Sequence, residues 1–249
     1  MRPLIAGNWK MHGHRADLAE IASIAAWAEK PSPVADILIC PPATLIMEAA
    51  RISAGRVAIG GQDCHPEVSG AHTGDIAAEM LRDAGASAVI TGHSERRQNH
   101  GETNAVVLAK AAAASRAGLM AIVCVGETEA ERDRGDALSI CGGQIVASVP
   151  VGMTGTELAI GYEPLWAIGT GRVPDDREIV QMHAHIRKIL VVHLGAHGND
   201  VRILYGGSVK PANAREILAL PGVGGALVGG ASLVDLDFEA ILASATRAK

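Results

Sequence analysis

The chain has 249 residues, of which 48% are hydrophobic, and a formal net charge of -5. This length matches one domain built from eight strand and helix units, which takes roughly 250 residues. The negative charge and the presence of only three Trp, two Tyr and one Phe argue against nucleic-acid binding, which needs a basic stripe or stacking rings. We therefore expect a single domain over residues 1–249.

The compartment is predicted from the cysteines and the N-terminus. No CxxC pair occurs among the four cysteines, which are Cys40, Cys64, Cys124 and Cys141. A chain of this length does not depend on disulfides, so reduced thiols in a cytoplasmic protein are expected. The N-terminal MRPLIAGNWKMHG holds too short an apolar run for a signal peptide. Lys110 and Arg116 interrupt the most apolar later stretch before the ~18 residues of a membrane span, so no membrane contact is expected.

Short apolar runs alternate with helix-period stretches along the whole chain. Eight of these runs predict strands, at 4–9, 36–40, 57–61, 87–91, 119–125, 157–162, 201–205 and 225–228. Nearly continuous apolar strands indicate burial on both faces, as in a parallel sheet. Eight such units in a chain of this length predict an α/β fold in which a single (β/α)8 barrel is favoured over an open sheet.

Two helices are predicted from a capping residue and from an apolar stripe, respectively. Asp75 is expected to cap a helix over 76–84. A further helix is expected from Asp175, and its apolar stripe is typical of a face that packs on the barrel. The stripe consists of Ile179, Met182, Ile186 and Ile189.

The carboxyl ends of barrel strands carry function, so the first and sixth strand ends are candidates. Asn8 and Lys10 lie two residues apart, which would turn both side chains toward the mouth of the barrel. An inward lysine suits an anionic ligand, whereas the alternative is a lysine that reaches solvent at the rim. Glu163 follows the sixth strand, and Pro164 ends the ladder because it has no N–H. The alternative is a surface glutamate before an ordinary loop.

The fourth strand is followed by His93, which begins a short polar segment that could form a helical turn. The helix dipole disfavours an imidazolium there, so a neutral ring could donate an N–H to a carbonyl oxygen. The remaining histidines do not suggest metal ligation. His183 and His185 are two residues apart, and no Glu lies between His193 and His197, so no HExxH metal site is expected.

The seventh and eighth strands end in glycine-rich segments, Gly206-Gly207-Ser208 and Gly229-Gly230. Glycines there let backbone N–H groups approach an anion at the start of the following helix, and these two loops are the usual phosphate site of barrels. Gly169 lies in a third glycine-containing segment, in a loop after Glu163 whose composition suits a hinged lid. Plain tight turns are the alternative, but two such segments in these loops favour a phosphate cradle.

Six segments of the chain together resemble the triosephosphate isomerase family. They are AGNWKMHG, GHSERR, CVGET, GYEPLWAIGTGRV, LYGGSVKP and ALVGGASL, and they run in the family's order from Ala6 to Ser232. The resemblance implies a (β/α)8 TIM barrel, usually a homodimer, acting in glycolysis and gluconeogenesis. It also implies interconversion of dihydroxyacetone phosphate and glyceraldehyde 3-phosphate through an enediolate, without a metal or organic cofactor.

The resemblance also assigns roles to individual residues. It makes Glu163 the base, His93 the electrophile, and Lys10 and Asn8 the pair that binds substrate, with Lys10 also a catalytic cation. Backbone N–H groups would bind the phosphate, from Gly169, Ser208, Gly229 and Gly230. These roles suit the chemistry, because a base must remove a proton beside a carbonyl while a donor and a cation stabilise the enediolate.

Several positions depart from the family's pattern. His12 and Asp63 stand where Asn is usual, His72 stands where Tyr or Phe is usual, and His100 replaces an aromatic residue. Gly224 stands where Asp is common. Three of these positions, 12, 63 and 72, lie in or near the segments that the family uses between subunits, so they concern the dimer contact rather than catalysis.

Two other functions remain open from the sequence. One is an isomerase of a longer sugar phosphate, such as a tetrulose phosphate, against which the short lid argues. The other is a non-catalytic barrel that binds phosphorylated metabolites, against which the complete set of Lys10, His93 and Glu163 argues.

Overall fold

The structure is a computed structural model that describes residues 1–29, 34–167 and 174–245. Eight parallel strands pair in chain order, and β1 pairs with β8 to close a barrel. The strands are β1 Leu4–Asn8, β2 Asp36–Cys40, β3 Ala58–Gly61, β4 Ala88–Thr91, β5 Met120–Val125, β6 Leu158–Tyr162, β7 Arg202–Tyr205 and β8 Gly225–Val228. The predicted barrel is confirmed, and each predicted strand agrees to within one residue at either end.

The helices lie outside the barrel, between successive strands and after β8. They are α1 Leu18–Ala28, α2 Ile46–Ser53, α3 Ala78–Asp83, α4 Ser94–Asn99, α5 Asn104–Arg116, α6 Glu129–Asp133, α7 Ala137–Ser148, α8 Asp176–Leu194, α9 Ala214–Ala219 and α10 Asp235–Ser244. Among the described residues, no helix is long and apolar enough to span a membrane.

The predicted helix after Asp175 is confirmed in detail. Asp175 caps α8, because its Oδ1 accepts the N–H of Glu178 at 2.8 Å. Three residues of the predicted stripe, Ile179, Met182 and Ile186, are buried. This face therefore packs on the barrel, as the periodicity indicates.

The predicted cap at Asp75 is wrong, since α3 begins only at Ala78. The N–H of His65 donates to the carbonyl of Ile76 at 2.8 Å, and His65 also forms an isolated parallel bridge with Ala77. This pairing holds 76–77 extended across the neck of a loop, and a helix there would break it. A tertiary contact has overridden the local capping signal.

The apolar core has two layers. The inner layer fills the barrel and includes Leu38, Ile90, Ile122 and Leu227. The outer layer lies between the strands and the helices and is larger. Full burial of a side chain of this size stabilises the fold by about 1.5–3 kcal/mol. Because every strand is parallel, the packed barrel brings all eight carboxyl ends to one rim.

Candidate active site

A cavity of about 460 Å³ opens at the carboxyl ends of the strands. Its lining contains seven of the eight residues that the sequence predicts for the site: Asn8, Lys10, His93, Glu163, Ser208, Gly229 and Gly230. The eighth, Gly169, lies outside the described residues. The fold thus brings together residues from five separate strand ends.

Glu163 lies directly after β6, and its side chain is buried in the wall of the cavity, with 2% of the residue exposed. Its Oε2 accepts the N–H of Ser94 at 3.0 Å, and its Oε1 accepts the Ser94 hydroxyl at 3.0 Å. Burial raises the pKa of Glu163, but the His93 ring and the Ser94 donors lower this pKa by more. The group is therefore a carboxylate that is able to accept a proton.

His93 caps α4, so the predicted helical turn is confirmed. Its Nδ1 accepts the N–H of Glu95 at 3.3 Å, and its Nε2 lies 3.0 Å from Oε1 of Glu163. Because Nδ1 accepts a hydrogen bond, the ring proton is assigned to Nε2. The neutral imidazole thus directs its Nε2–H at Oε1 of Glu163. A substrate oxygen could take the place of Oε1 as the acceptor of this N–H.

Lys10 lies two residues past the end of β1 and has left-handed backbone geometry, with φ of 55°. Such a conformation costs a non-glycine residue about 1–3 kcal/mol. Asn8 Oδ1 accepts the Lys10 N–H at 3.0 Å, and Gln62 Nε2 donates to the Lys10 carbonyl at 2.8 Å. The Lys10 Nζ lies 2.6 Å from Glu95 Oε1. Lys10 lines the cavity, as predicted. The cause differs from the prediction, because Lys10 lies beyond β1 and is oriented by these contacts and not by the alternation of side chains along a strand.

The glycine-rich ends of β7 and β8 offer backbone donors to the cavity. Within the part of the chain that the structure describes, no acceptor is bonded to the backbone N–H groups of Ser208, Gly229 or Gly230. The seventh loop differs from the prediction, because α9 begins only at Ala214. Its donors therefore come from the loop itself, and those of the eighth loop come from a short 3-10 turn at Gly230–Ser232.

The sequence analysis did not single out Ser94, Glu95 or Gln62, although the structure gives each of them a contact with a predicted site residue. Ser94 holds Glu163, Glu95 pairs with Lys10, and Gln62 fixes the Lys10 backbone. Ser94 and Glu95 lie in the segment GHSERR. A polar run directly after a strand end was the available signal for these two residues.

Glu127 is a second residue that the sequence analysis missed, and it is fully buried beside the loop that follows Glu163. Its Oε1 accepts three donors, the Trp166 Nε1–H at 2.7 Å, the Arg132 Nη1–H at 3.0 Å and the Tyr162 hydroxyl at 3.1 Å. The Arg132 guanidinium also lies over the Trp166 ring, 4.6 Å from its centroid. A buried charge needs such partners, and here they anchor the start of the loop.

A buried carboxylate, a neutral imidazole donor and an ammonium group surround this cavity, and backbone N–H donors line one side of it. This arrangement, at the carboxyl rim of the strands, defines a (β/α)8-barrel enzyme suited to proton transfer next to a carbonyl in an anionic substrate.

Comparison with known proteins identifies the family. The sequence model of the triosephosphate isomerase family matches residues 3–245. Triosephosphate isomerase from Afipia carboxidovorans is 61% identical over 242 residues, which cover 97% of this chain and 96% of that protein. The Rhodopseudomonas palustris protein of the same name is 56% identical over 246 residues, covering 98% and 97%. The crystal structure of triosephosphate isomerase from Bartonella henselae matches with a TM-score of 0.91 and 45% identity, covering 98% of this chain and 99% of that one. The chain belongs to the triosephosphate isomerase family.

Proposed function

We propose that this chain interconverts dihydroxyacetone phosphate and D-glyceraldehyde 3-phosphate, as an intramolecular aldose–ketose oxidoreductase. The observation that carries the proposal is the contact of 3.0 Å between His93 Nε2 and Glu163 Oε1 inside a cavity with unbonded backbone donors. The names of the relatives agree with this activity. The chain's own side chains supply each group that the reaction requires, so we propose no cofactor.

Proton transfer in this site follows from the two buried groups. Glu163 removes a proton from C1 of the ketose, the C–H electron pair forms a C1–C2 double bond, and the C2 carbonyl oxygen becomes an enediolate oxygen. The Nε2–H of His93 stabilises that oxygen. Glu163 then returns the proton to C2, while a proton passes from the C1 oxygen to the C2 oxygen through His93. The aldose results without net loss or gain of atoms.

Substrate binding must first separate the two groups, because the His93 donor is directed at Glu163. A substrate carbonyl oxygen would take the place of Oε1 as the acceptor of the Nε2–H. The Ser94 donors keep the carboxylate close by during this exchange. Asn8 and the Lys10 ammonium would contact the substrate, and the cation would offset the negative charge that develops.

The phosphate of the substrate would bind the backbone N–H groups of Ser208, Gly229 and Gly230. Gly169, outside the described residues, is proposed as a fourth donor. The chain carries a net charge of -5, so these local donors and Lys10 must attract a dianion against the overall charge.

We infer further that residues 1–249 form a single domain and that two such chains form a homodimer. This dimer would act in glycolysis and gluconeogenesis in the cytoplasm. Met11, next to Lys10 in the chain, is 94% exposed, and Met47 is 69% exposed. Large apolar side chains that are exposed in a single chain support a surface that a second subunit covers. The four cysteines are unpaired and buried, which supports a reducing compartment. Neither nucleic acid nor a membrane is proposed as a partner. Sedimentation of the purified chain tests the dimer, and a monomer at all concentrations would exclude it.

A coupled assay with glyceraldehyde 3-phosphate tests the activity, with Glu163→Gln as the key variant. The amide cannot accept the proton from carbon, so turnover should fall by about 100-fold to 10,000-fold. Glu163→Asp withdraws the carboxylate by roughly 1 Å and should cost ~100-fold. Glu67→Gln, at an exposed position, is the matched control and should retain full turnover. An active Glu163→Gln protein would refute the assignment of the base.

A further inference from the structure

A second cavity, of about 650 Å³, opens beside the amino-terminal ends of β7 and β8. Because the strands are parallel, it lies at the opposite end of the barrel from the catalytic cavity. The described residues that line the two cavities are entirely different. We propose that this second cavity binds an organic carboxylate with an apolar body, and that Arg187 binds its carboxylate group.

The charge of the cavity lining is one-sided. Arg2, Arg187 and Arg202 border the cavity, and the described residues that line it include no Asp or Glu. Arg202 Nη1 lies 2.7 Å from Asp36 Oδ2, and Arg2 Nε lies 3.1 Å from Oδ1 of the same carboxylate. Arg187 has no carboxylate within ion-pair distance in the part of the chain that the structure describes. Its charge therefore lacks a direct counter-ion there.

The guanidinium of Arg187 is held in place on α8 by two backbone carbonyls. Nη1 donates to the Gly198 carbonyl, and Nη2 donates to the Val201 carbonyl. A Cβ atom at position 198 would collide with the Leu190 carbonyl, so a glycine allows this segment to approach α8 closely. Two of the five guanidinium N–H donors are thus bonded to described residues, and three remain for a ligand. Because the planar group is already oriented, binding costs little additional side-chain entropy.

Partial burial makes an anionic partner favourable for Arg187, which is half-buried. Burial lowers the pKa of Arg187, and the attraction of Asp200 opposes this effect only in part. The fold therefore holds a positive charge in surroundings that disfavour it. A carboxylate in the cavity would stabilise that charge through charge-assisted hydrogen bonds, for which the guanidinium fork has the matching geometry.

Position 224 contributes to this charge balance. Gly224 lines the cavity and stands where Asp is common in the family. An aspartate would bring a negative charge to the lining, whereas glycine brings none. A Cβ atom at position 224 would lie 2.9 Å from the Ile203 nitrogen, so the backbone of β7 is fitted to glycine. The positive charge of the cavity is therefore a property of this chain's own sequence.

The rest of the lining limits the kind of anion. It is largely apolar and consists of Val201, Leu218, Leu220, Pro221 and Val223 together with short backbone segments. Such a wall suits an apolar body beside the charged group. One guanidinium without a counter-ion matches a monoanion, so a carboxylate fits better than a phosphate dianion. Positions 12, 63 and 72, in or near the expected subunit contact, do not border this cavity.

Calorimetric titration of the full-length chain with cinnamate tests the site, and neutral cinnamamide, of nearly the same shape, is the control ligand. We expect saturable binding of cinnamate and about tenfold weaker binding of the amide, because the charge-assisted bonds are lost. Arg187→Gln should weaken cinnamate binding about tenfold for the same reason. Lys188→Gln, which removes the same charge from an exposed neighbour on α8, should leave it unchanged. Equal affinity for the two ligands, or unchanged affinity in Arg187→Gln, would refute the proposal.

A second variant leaves the backbone contacts of Arg187 intact. Asn199 is exposed and borders the cavity, so Asn199→Asp adds a negative charge to the lining with almost no change of shape. Cinnamate binding should weaken by about threefold or more, because like charges repel. Gln181→Glu makes the same charge change at an exposed position on α8 outside the lining and should have no effect. Equal affinities of these two variants would contradict the site.

A crystal structure of the unmodified chain with cinnamate locates the ligand directly. We expect its carboxylate against the Arg187 guanidinium and its ring against Leu218 and Val223. Cinnamate found only in the catalytic cavity would overturn the proposal. None of these measurements depends on isomerase activity, so their outcome is separate from that of the proposed function.

Discussion

His93 Nε2 lies 3.0 Å from Glu163 Oε1, and the two residues are only 7% and 2% exposed. Both are positioned by the first turn of α4. His93 caps this helix, and Ser94, its first residue, donates both its N–H and its hydroxyl to the Glu163 carboxylate. The proposed base and the proposed electrophile therefore share one support, so a change at Ser94 should alter the base directly.

Ser94→Ala should shift the pH dependence of catalysis. The variant loses the hydroxyl donor to Glu163 but keeps the backbone donor. Since the Ser94 donors lower the pKa of Glu163, their partial loss should raise it, and the acidic limb of kcat/KM should move to higher pH. Loss of one of the two donors that hold the carboxylate should also lower kcat, because a displacement of roughly 1 Å can cost ~100-fold in rate. The profile is compared with that of Ser244→Ala, a half-buried position at the end of α10, and coinciding acidic limbs would contradict this role.

Gly126→Ala should disable the site through the backbone of Glu163. A Cβ atom at position 126 would lie 1.9 Å from the Glu163 carbonyl oxygen and 2.6 Å from Leu165 Cδ1. The chain around the base must therefore move, and a shift of roughly 1 Å can cost ~100-fold in rate.

Gly143→Ala is the matched control for Gly126→Ala. A Cβ at position 143 would meet no atom within 4 Å, and Gly143 lies in α7. The unfolding free energy of the Gly143→Ala protein should rise by up to about 1 kcal/mol, because alanine favours a helix more than glycine does, and kcat should not change. Denaturant unfolding and turnover are measured for both variants, and a fully active Gly126→Ala protein would show that the contact is not restrictive.

Trp166→Phe should weaken the anchor of the loop that follows the base. The indole N–H donates at 2.7 Å to the fully buried Glu127 carboxylate, and its loss should cost about 1.5–3 kcal/mol in unfolding free energy. Turnover should fall as well, because Leu165–Ala167, which follow the base closely in the chain, lose a fixed point. Trp27→Phe, a half-buried position on α1, serves as the control for general loss of an indole. Equal turnover in the two variants would argue against an anchoring role.

Glu102→Gln should destabilise the fold in a pH-dependent way. One carboxylate oxygen of Glu102 accepts from both Lys110 Nζ at 2.5 Å and Arg96 Nε at 2.6 Å. Burial raises the pKa of Glu102, but these two cations lower it by more, so the pKa lies below its ordinary value. The stability that this carboxylate contributes is therefore present above pH ~4.3 and is lost as the pH falls through the lowered pKa.

Urea unfolding at pH 7 and at pH 4 measures this effect. At pH 7, Glu102→Gln should lose about 1–3 kcal/mol, because Lys110 and Arg96 lose one carboxylate partner and keep only Asp63. The difference from the unmodified chain should shrink at pH 4. Asp63→Asn is the control, since its side chain is 23% exposed and Lys110 keeps Glu102, so its loss should be smaller. A difference of equal size at both pH values would contradict the assigned sign.

Much of the architecture follows from local properties of the sequence. The apolar runs are short, regularly spaced and separated by helical patterns, so every strand was predicted to within one residue. Closure into a parallel barrel then places all strand ends at one rim, which is why residues as far apart as Asn8 and Gly229 were predicted to share a site. Both conclusions rest on the periodicity of apolar residues and on the order of strands and helices, and both of these can be read from the sequence.

Other features depend on distances that no linear pattern contains. Ser94 contacts Glu163 across 69 positions, Lys10 takes its left-handed geometry from Asn8 and Gln62, and the pairing of His65 with Ile76 delays α3 beyond the predicted cap. These contacts arise from strand register and loop packing, which are decided only when the whole barrel closes. The sequence by itself determined the barrel and most residues of its rim. The tertiary structure decided which of those side chains are in contact, because contact depends on positions at the ångström scale that many elements set together.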